Sequence, residues 1–323
     1  MKTPPLPLEE AQRRLLALAP ALPVEHRPAA ECLGFHLAQP LAARRNQPEA
    51  ALSAMDGYAL RAADLPGPWT VVGESAAGHP FDGSVATGQA VRISTGAVLP
   101  DGADMVLIQE DAAREDDSLR LTGEPPLPRD KHIRPRGMDF ALDAPLLPAG
   151  QRMGAAQIAL AVSAGHHYLA VRRPVRLAVI DCGDELVAPG TPLAPHQIPA
   201  SNGPMLAALA ASCKVVTDRI GPIPDRLEDL TAALERVRDA DVVVTSGGAS
   251  VGDHDLVRPA IEATGATLDF WRVAIKPGKP LMVAQRGTQV ILGLPGNPAA
   301  AFVTGYLFLL PLLRAALGAV ETL

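Results

Sequence analysis

Aromatic side chains make up only 3% of this 323-residue chain, so its core has to be filled by Ala, Leu and Val rather than by large rings. Cysteine is scarcer still. Cys32, Cys182 and Cys213 lie far apart with no paired-ligand spacing, which argues against a disulfide framework or a thiolate zinc site. Positive charge is not in excess: 29 Lys and Arg stand against 35 Asp and Glu, for a net charge of −6. A nucleic-acid partner would need a clustered basic stripe, and none is present. A small anion stays compatible, because a local pocket of amides and a few lysines needs no basic protein.

Long hydrophobic runs are missing too. Met1 to Pro7 carries no charged segment followed by an apolar run, so no signal peptide is evident. The apolar stretch Ala299 to Leu313 is shorter than the ~20 residues of a membrane span. It also contains Thr304, Gly305 and Pro311 and reads as a buried core helix. A cytoplasmic protein with neither membrane nor nucleic-acid partners is expected.

With 48% hydrophobic and 20% charged residues, the composition is that of a globular protein, and the length predicts two or three domains. Leu8 to Leu18 and Val24 to Gln39 show apolar residues at helical spacing and read as two surface helices. From Asn46 the pattern changes to short apolar runs broken by Gly, Pro and Asp, such as Trp69 to Val72 and Ala90 to Ile93, which marks a β-rich domain. Within it, Glu110 to Lys131 reads as a hairpin and loop excursion. A helical pattern returns at Met153 to Ser163.

After Pro174 short runs of Val, Ile and Leu (Val175 to Asp181, Lys214 to Ile220, Ala240 to Thr245, Gln289 to Leu294) alternate with helical stretches at Pro204 to Ala211, Leu227 to Val237 and Asp255 to Ala263. The predicted fold is α/β: a mostly parallel sheet with helices on both faces, preceded by a helical domain that carries an inserted small β domain. The boundaries expected are 1–45 plus 141–171 for the helical part, 46–140 for the insertion and 172–323 for the α/β part.

Sheets of this kind bind ligands at the carboxyl ends of their strands. Three segments fall there. The run Ser246-Gly247-Gly248-Ala249-Ser250-Val251-Gly252-Asp253-His254-Asp255 combines glycines, which let amides approach an anion, with hydroxyls and with carboxylates able to hold a hard cation. A plain Gly-rich turn is the competing reading. Leu294-Pro295-Gly296-Asn297-Pro298 suits a strand-to-helix junction, with Asn297 as N-cap and Pro298 at the first helical position. Lys276-Pro277-Gly278-Lys279-Pro280 holds two of only five lysines among 29 basic residues. Ammonium groups on a stiff loop suit a point-charge role on phosphate or an oxyanion, although a solvated surface loop has the same composition. The strand at Val175 ends in Asp181-Cys182-Gly183-Asp184-Glu185, whose adjacent carboxylates are either helix-capping acids or metal ligands.

Taken in order, SAMDGYAL (53–60), RISTGAVLPDGADMVLIQED (92–111), IRPRGMDF (133–140), GDELVAPG (183–190), SGGASVGDHD (246–255), AIKPGKPL (274–281) and LPGNP (294–298) resemble the molybdopterin molybdotransferase family, the MoeA-like proteins that include the gephyrin E domain. The resemblance covers nearly the whole chain. It implies a homodimer that inserts molybdate into adenylylated molybdopterin with release of AMP, using Mg2+. On the family pattern Asp56, Thr95, Asp139, Glu185, Asp225, Lys276 and Lys279 are catalytic. Ser246, Gly247, Gly248, Ser250, Gly252, Asp255, Pro295, Gly296 and Asn297 bind the pterin nucleotide, and Glu185, Asp253 and Asp255 bind the metal. A molybdopterin adenylyltransferase and a recipient molybdoenzyme are the implied protein partners.

The sequence departs from the family at Asp181-Cys182 (usually Ser-Thr), at Arg226 (usually Asp) and at Ala200 (usually Asp). The family also continues into a further small β-barrel domain beyond the point reached by Leu323. A non-catalytic carrier of the pterin cofactor is the alternative expectation. Pterin adenylylation is a third, against which the β insertion and the lysine segment argue.

Overall fold

The computed structural model describes residues 4–247 and 256–323. They divide into two compact units: Met1–Pro40, Leu147–Ile158 and Tyr168–Leu323 form one, and Leu41–Leu146 with Ala159–His167 form the other.

In the first unit, helix α1 (Leu8–Ala17) starts with Glu9 and Glu10 and ends near Arg14, charges that match the helix dipole. Strand β1 (Val24–Pro28) pairs antiparallel with β8 (Tyr168–Arg172), and Leu37 bridges to Val171. The helix expected over Val24 to Gln39 is therefore not formed. Pro28 has no N–H to donate and no place inside a helix, whereas at a strand end it leaves no gap in the ladder. Helix α2 (Ala155–Ser163) forms where the periodicity predicts it.

The central sheet has six strands: β9 (Val175–Cys182), β10 (Val215–Ile223), β11 (Val242–Ser246), β12 (Thr267–Trp271), β13 (Met282–Arg286) and β14 (Gln289–Leu294). Their spatial order is β10-β9-β11-β14-β13-β12. The first four are mutually parallel, while β13 and β12 add an antiparallel edge. That edge is absent from the sequence expectation, because Thr267–Trp271 is half-polar and only the start of β13 is strongly apolar.

The parallel strands read as unbroken apolar runs because both faces are covered. Val175, Leu177 and Val179 of β9 join one buried cluster with Val242, Val244, Val290 and Leu292. Ala178, Ile180 and Cys182 join another with Val243 and Ile291. Alternate side chains of a strand point to opposite faces, so each face needs its own cover. Helices α1, α3 (Asn202–Ala210) and α7 (Leu310–Ala316) contribute Leu15, Leu206, Leu312 and Leu313 to the first cluster. Helices α4 (Leu227–Arg236) and α5 (Val257–Ala263) contribute Leu230, Leu234 and Ile261 to the second.

The helical run from α6 (Pro298–Thr304) through α7 is 19 residues long and apolar enough to cross a membrane by length and composition. Its Phe308, Leu309, Leu312 and Leu313 are buried in the first cluster, which gives that composition a use inside the fold.

The second unit holds another six-stranded sheet: β2 (Gly57–Leu60), β3 (Trp69–Ser75), β4 (Gln89–Ile93), β5 (Met105–Ile108), β6 (Ala112–Glu115) and β7 (Ser118–Leu121), ordered β5-β2-β4-β3-β7-β6. The β6–β7 hairpin lies within the excursion expected over Glu110 to Lys131. Its core is led by Trp69, Leu60, Leu107 and Leu119. The stretch Leu41–Leu146 of this unit begins and ends at neighbouring points: Ala43 N–H donates to the Ala144 carbonyl at 2.9 Å, and Asp143 N–H donates to the Ala43 carbonyl at 2.8 Å.

Candidate functional site

Parallel pairing sets Asp181 of β9 opposite Ser246 of β11, and Ser246 opposite Leu294 of β14. Three strands thus stop on one line, and the loops that follow them converge. Gly247 N–H donates to the Leu294 carbonyl at 3.3 Å. Its φ of +100° is one that side chains other than glycine rarely adopt, and a Cβ there would lie 2.1 Å from the Cys182 carbonyl oxygen. A Cβ on Gly296 would come within 3.4 Å of the Gly247 Cα. Glycine therefore allows these loops to touch.

Asn202, the last residue of Ala200-Ser201-Asn202 where the family pattern is Asp-Ser-Asn, ties them together. It stands at the start of α3 and donates from Nδ2 to the Ser246 Oγ at 2.9 Å and to the Gly296 carbonyl at 2.8 Å. Ser246 Oγ in turn donates to the Pro295 carbonyl at 3.4 Å. Asn202 Oδ1 and Thr245 Oγ1 are buried with no partner among the described residues. The sequence reading assigns Asn202 no role, because its partners lie 44 and 94 residues away.

Asn297 caps α6, its side chain accepting from the Ala300 N–H at 3.1 Å with Pro298 at the first turn, as the junction motif predicts. The lysine segment reaches the same end of the sheet by register: β13 begins at Met282, which pairs with Gly293 near the end of β14. The Lys279 carbonyl accepts from the Val273 N–H at 3.0 Å, and Gly278 is buried so close to Thr304 that a Cβ would lie 2.6 Å from it. This pins the loop backbone while Lys276 and Lys279 remain exposed.

On the β9 side, Asp184 and Glu185 are exposed, and an Asp184 carboxylate oxygen accepts from the Asp225 N–H at 3.1 Å. Asp184 thus fastens the loop before α4. Burial, and then the charges of Asp184 and Glu185, push the Asp225 carboxyl above its ordinary range. Among the described residues no group of three His, Cys, Asp or Glu stands close enough to hold a metal ion. Of the residues expected at the site, Gly248, Ser250, Gly252, Asp253 and Asp255 lie outside the described residues.

Three expected residues belong to the inserted unit. Asp56 accepts from the Thr95 N–H at 2.7 Å and from its hydroxyl at 3.1 Å, which together hold its carboxyl below the ordinary range. Asp139 takes both carboxylate oxygens to Arg134 at 3.0 Å. All three are exposed.

Residues 6–165 match the MoeA N-terminal region (domain I and II), and residues 178–315 match the probable molybdopterin binding domain. The molybdopterin molybdenumtransferase of Haemophilus influenzae is 34% identical over 95% of this chain and 77% of its own length. The chain belongs to the MoeA family. The Nostoc molybdopterin molybdenumtransferase is 36% identical over 87% of this chain, which spans 66% of that relative. Among solved structures, a molybdopterin biosynthesis MoeA protein from Pyrococcus horikoshii superposes with a TM-score of 0.86 at 31% identity, covering 98% of this chain and 81% of its own.

The three departures from the MoeA pattern have distinct settings. Cys182 is sealed in the core, where burial pushes its thiol far above the ordinary range, so it presents no thiolate to a ligand. Arg226 is exposed and lies 4.0 Å from Asp229. Ala200 is 3% exposed, and a carboxylate there would be buried.

Asp181 stands where MoeA proteins usually have serine. It is 6% exposed, and its carboxylate accepts from the Gly203 N–H in the first turn of α3 at 2.9 Å. Burial raises its pKa, a rise only partly offset by that N–H and by Arg219. The folded chain therefore holds a proton that the unfolded chain has already released. The associated stability is largest below the unfolded carboxylate value and falls as pH rises through the folded one. Asp181→Asn keeps the acceptor for Gly203. It is expected to be more stable than the parent above that window, with a flatter stability–pH curve in urea titrations. An unchanged slope would show that Asp181 is not the buried acid responsible.

Proposed function

We propose that this protein inserts molybdate into adenylylated molybdopterin and releases AMP. The observation that carries this reading is the convergence of Ser246–Gly247, Pro295–Gly296 and the Lys276–Lys279 segment at one end of the parallel sheet. The family assignment names the pterin pathway. In this reading, Ser246, Gly247, Gly248, Ser250, Gly252 and Asp255, with Pro295, Gly296 and Asn297, receive the pterin nucleotide. The pyrophosphate is an anion suited to Gly-rich backbone. Lys276 and Lys279 supply positive charge to molybdate and to the developing phosphate charge. Asp225 adds to the polar lining, and Asp56, Thr95 and Asp139 of the inserted unit are proposed as catalytic on the family pattern alone.

Carboxylate oxygens are the donors that a hard cation takes, and Glu185 is the exposed carboxylate among the described residues that offers one here. Glu185, Asp253 and Asp255 would hold Mg2+, which polarises phosphate oxygens and stabilises charge on the leaving AMP. The chain's own residues orient the pyrophosphate, bring Lys279 beside it and fix the loops around it. We further propose a cytoplasmic homodimer built on 1–45 plus 141–171. A molybdopterin adenylyltransferase would deliver the substrate, and a molybdoenzyme would receive the product.

Incubating the purified chain with adenylylated molybdopterin, Mg2+ and molybdate is expected to release AMP in a molybdate-dependent manner, and Glu185→Ala is expected to abolish that release. Tight pterin binding with no AMP above background would overturn turnover. It would leave the carrier reading, which the buried Cys182 and the basic Arg226 favour.

A further inference from the structure

Helix α3 opens without a cap of its own. Ser201, which precedes it, makes no side-chain capping bond, and Pro204 in its first turn has no N–H to satisfy. The acceptor that a helix start requires comes from the sheet instead: the Asp181 carboxyl at the end of β9 takes the Gly203 N–H at 2.9 Å. Glycine is what permits the approach, since a Cβ on residue 203 would overlap that carboxyl group. Asp181 therefore fixes where α3 begins, and with it where Asn202 stands, one residue before Gly203.

Asn202 commits both hydrogens of one carboxamide to two different loops. Nδ2 donates to the Ser246 Oγ at 2.9 Å and to the Gly296 carbonyl at 2.8 Å. A backbone carbonyl can only accept, which decides which end of the carboxamide faces the loops. Ser246 ends β11 and Gly296 follows β14, strands that lie side by side in the sheet. The direct ties between these two strand ends are long. Gly247 N–H reaches the Leu294 carbonyl at 3.3 Å, and the Ser246 hydroxyl reaches the Pro295 carbonyl at 3.4 Å, both beyond the usual range. The two shorter links are those of Asn202. Because Ser246 Oγ accepts from Asn202, its own proton is also turned away from α3 and towards the other loop.

We propose that Asn202 is a positioning residue for the nucleotide site: its carboxamide clamps the Ser246 and Gly296 loops together, and Asp181 holds Asn202 in place. The inference rests on the pterin nucleotide binding at these two loops. It gives the buried acid of β9 a part in the site, although no ligand touches it.

Steady-state AMP release and fluorescence titration with adenylylated molybdopterin, both on the full chain, test this. Asn202→Ala should raise KM by about tenfold or more, the cost of one to two net hydrogen bonds, with kcat little changed. A residue that only supported the fold would lower the active fraction, and hence kcat, at the parent KM, and that result overturns the proposal. Asn202→Asp keeps the shape of the side chain but sets a carboxylate against the Gly296 carbonyl. It should weaken binding as well, and it gives a readable result if Asn202→Ala fails to fold. In a Ser246→Ala background Asn202→Ala should cost less than in the parent, because one of its partners is already gone. Equal cost in both backgrounds overturns the proposal. Asp181→Ala should weaken binding in the same direction, and Asp181→Asn, which keeps an acceptor for the Gly203 N–H, should restore it. A parent that binds the nucleotide without releasing AMP leaves the dissociation constants to decide in the same way. A parent that binds no nucleotide overturns the inference together with the reading beneath it, whereas binding that Asn202→Ala leaves intact overturns the inference alone.

Discussion

Gly247→Ala is expected to lower stability by about 3 kcal/mol or more and to abolish pterin-nucleotide binding. Two separate costs add. The backbone at Gly247 has φ +100°, which disfavours any Cβ, and the Cβ would lie 2.1 Å from the carbonyl oxygen of Cys182. A carbonyl inside the core cannot swing aside as a flexible side chain would, so the strand ends themselves must separate. Cys182 is 1% exposed and Leu294 is fully buried, which leaves little room for that movement. Urea denaturation reads the first effect, and fluorescence titration with a pterin nucleotide reads the second. A variant within about 0.5 kcal/mol of the parent, the range of ordinary surface substitutions, would show that the loop relaxes and that the glycine is dispensable.

Lys279→Ala should separate function from folding. Its ammonium is exposed and its backbone is already held by the Val273 N–H and by the packing of Gly278 on Thr304. Truncation removes only solvated atoms, so stability should change by less than about 0.5 kcal/mol. Molybdate-dependent AMP release should fall by about 100-fold, the typical cost of removing one charge aimed at a developing oxyanion. Lys279→Arg should recover only part of this, because a planar guanidinium does not present the compact charge of an ammonium. Equal loss of AMP release and of the unfolding midpoint would mean that the side chain supports the loop rather than the chemistry. Release at the parent rate would remove Lys279 from the site.

The parallel strands are legible in the sequence because burial on both faces forces continuous Val, Ile and Leu, as in Val175–Ile180 and Val242–Val244. The binding rule for strand ends then selects Ser246, Gly247, Pro295 and Gly296 from sequence alone, and the fold brings these four together. Two kinds of feature are hidden. Val24–Pro28 carries mixed polar residues whose spacing also suits a helix, and only its partner Tyr168–Arg172 decides between the two. Asn202 acts through hydrogen bonds to distant loops, and a single asparagine in a sequence carries no record of its partners.

The ladder between Val24–Pro28 and Tyr168–Arg172 also bears on the order in which the chain matures. Closing it requires two segments separated by the whole inserted unit to meet. For an unstructured intervening chain, that closure costs entropy that grows with the length spanned. The insertion begins and ends beside the Ala43–Ala144 hydrogen bonds, so once folded it acts as a short bridge between its flanks. Folding of the inserted unit first would therefore accelerate formation of the β1–β8 pair. Weakening the insertion's Trp69 core should slow refolding of the α/β unit, even though Trp69 contributes nothing to that unit's own hydrophobic clusters.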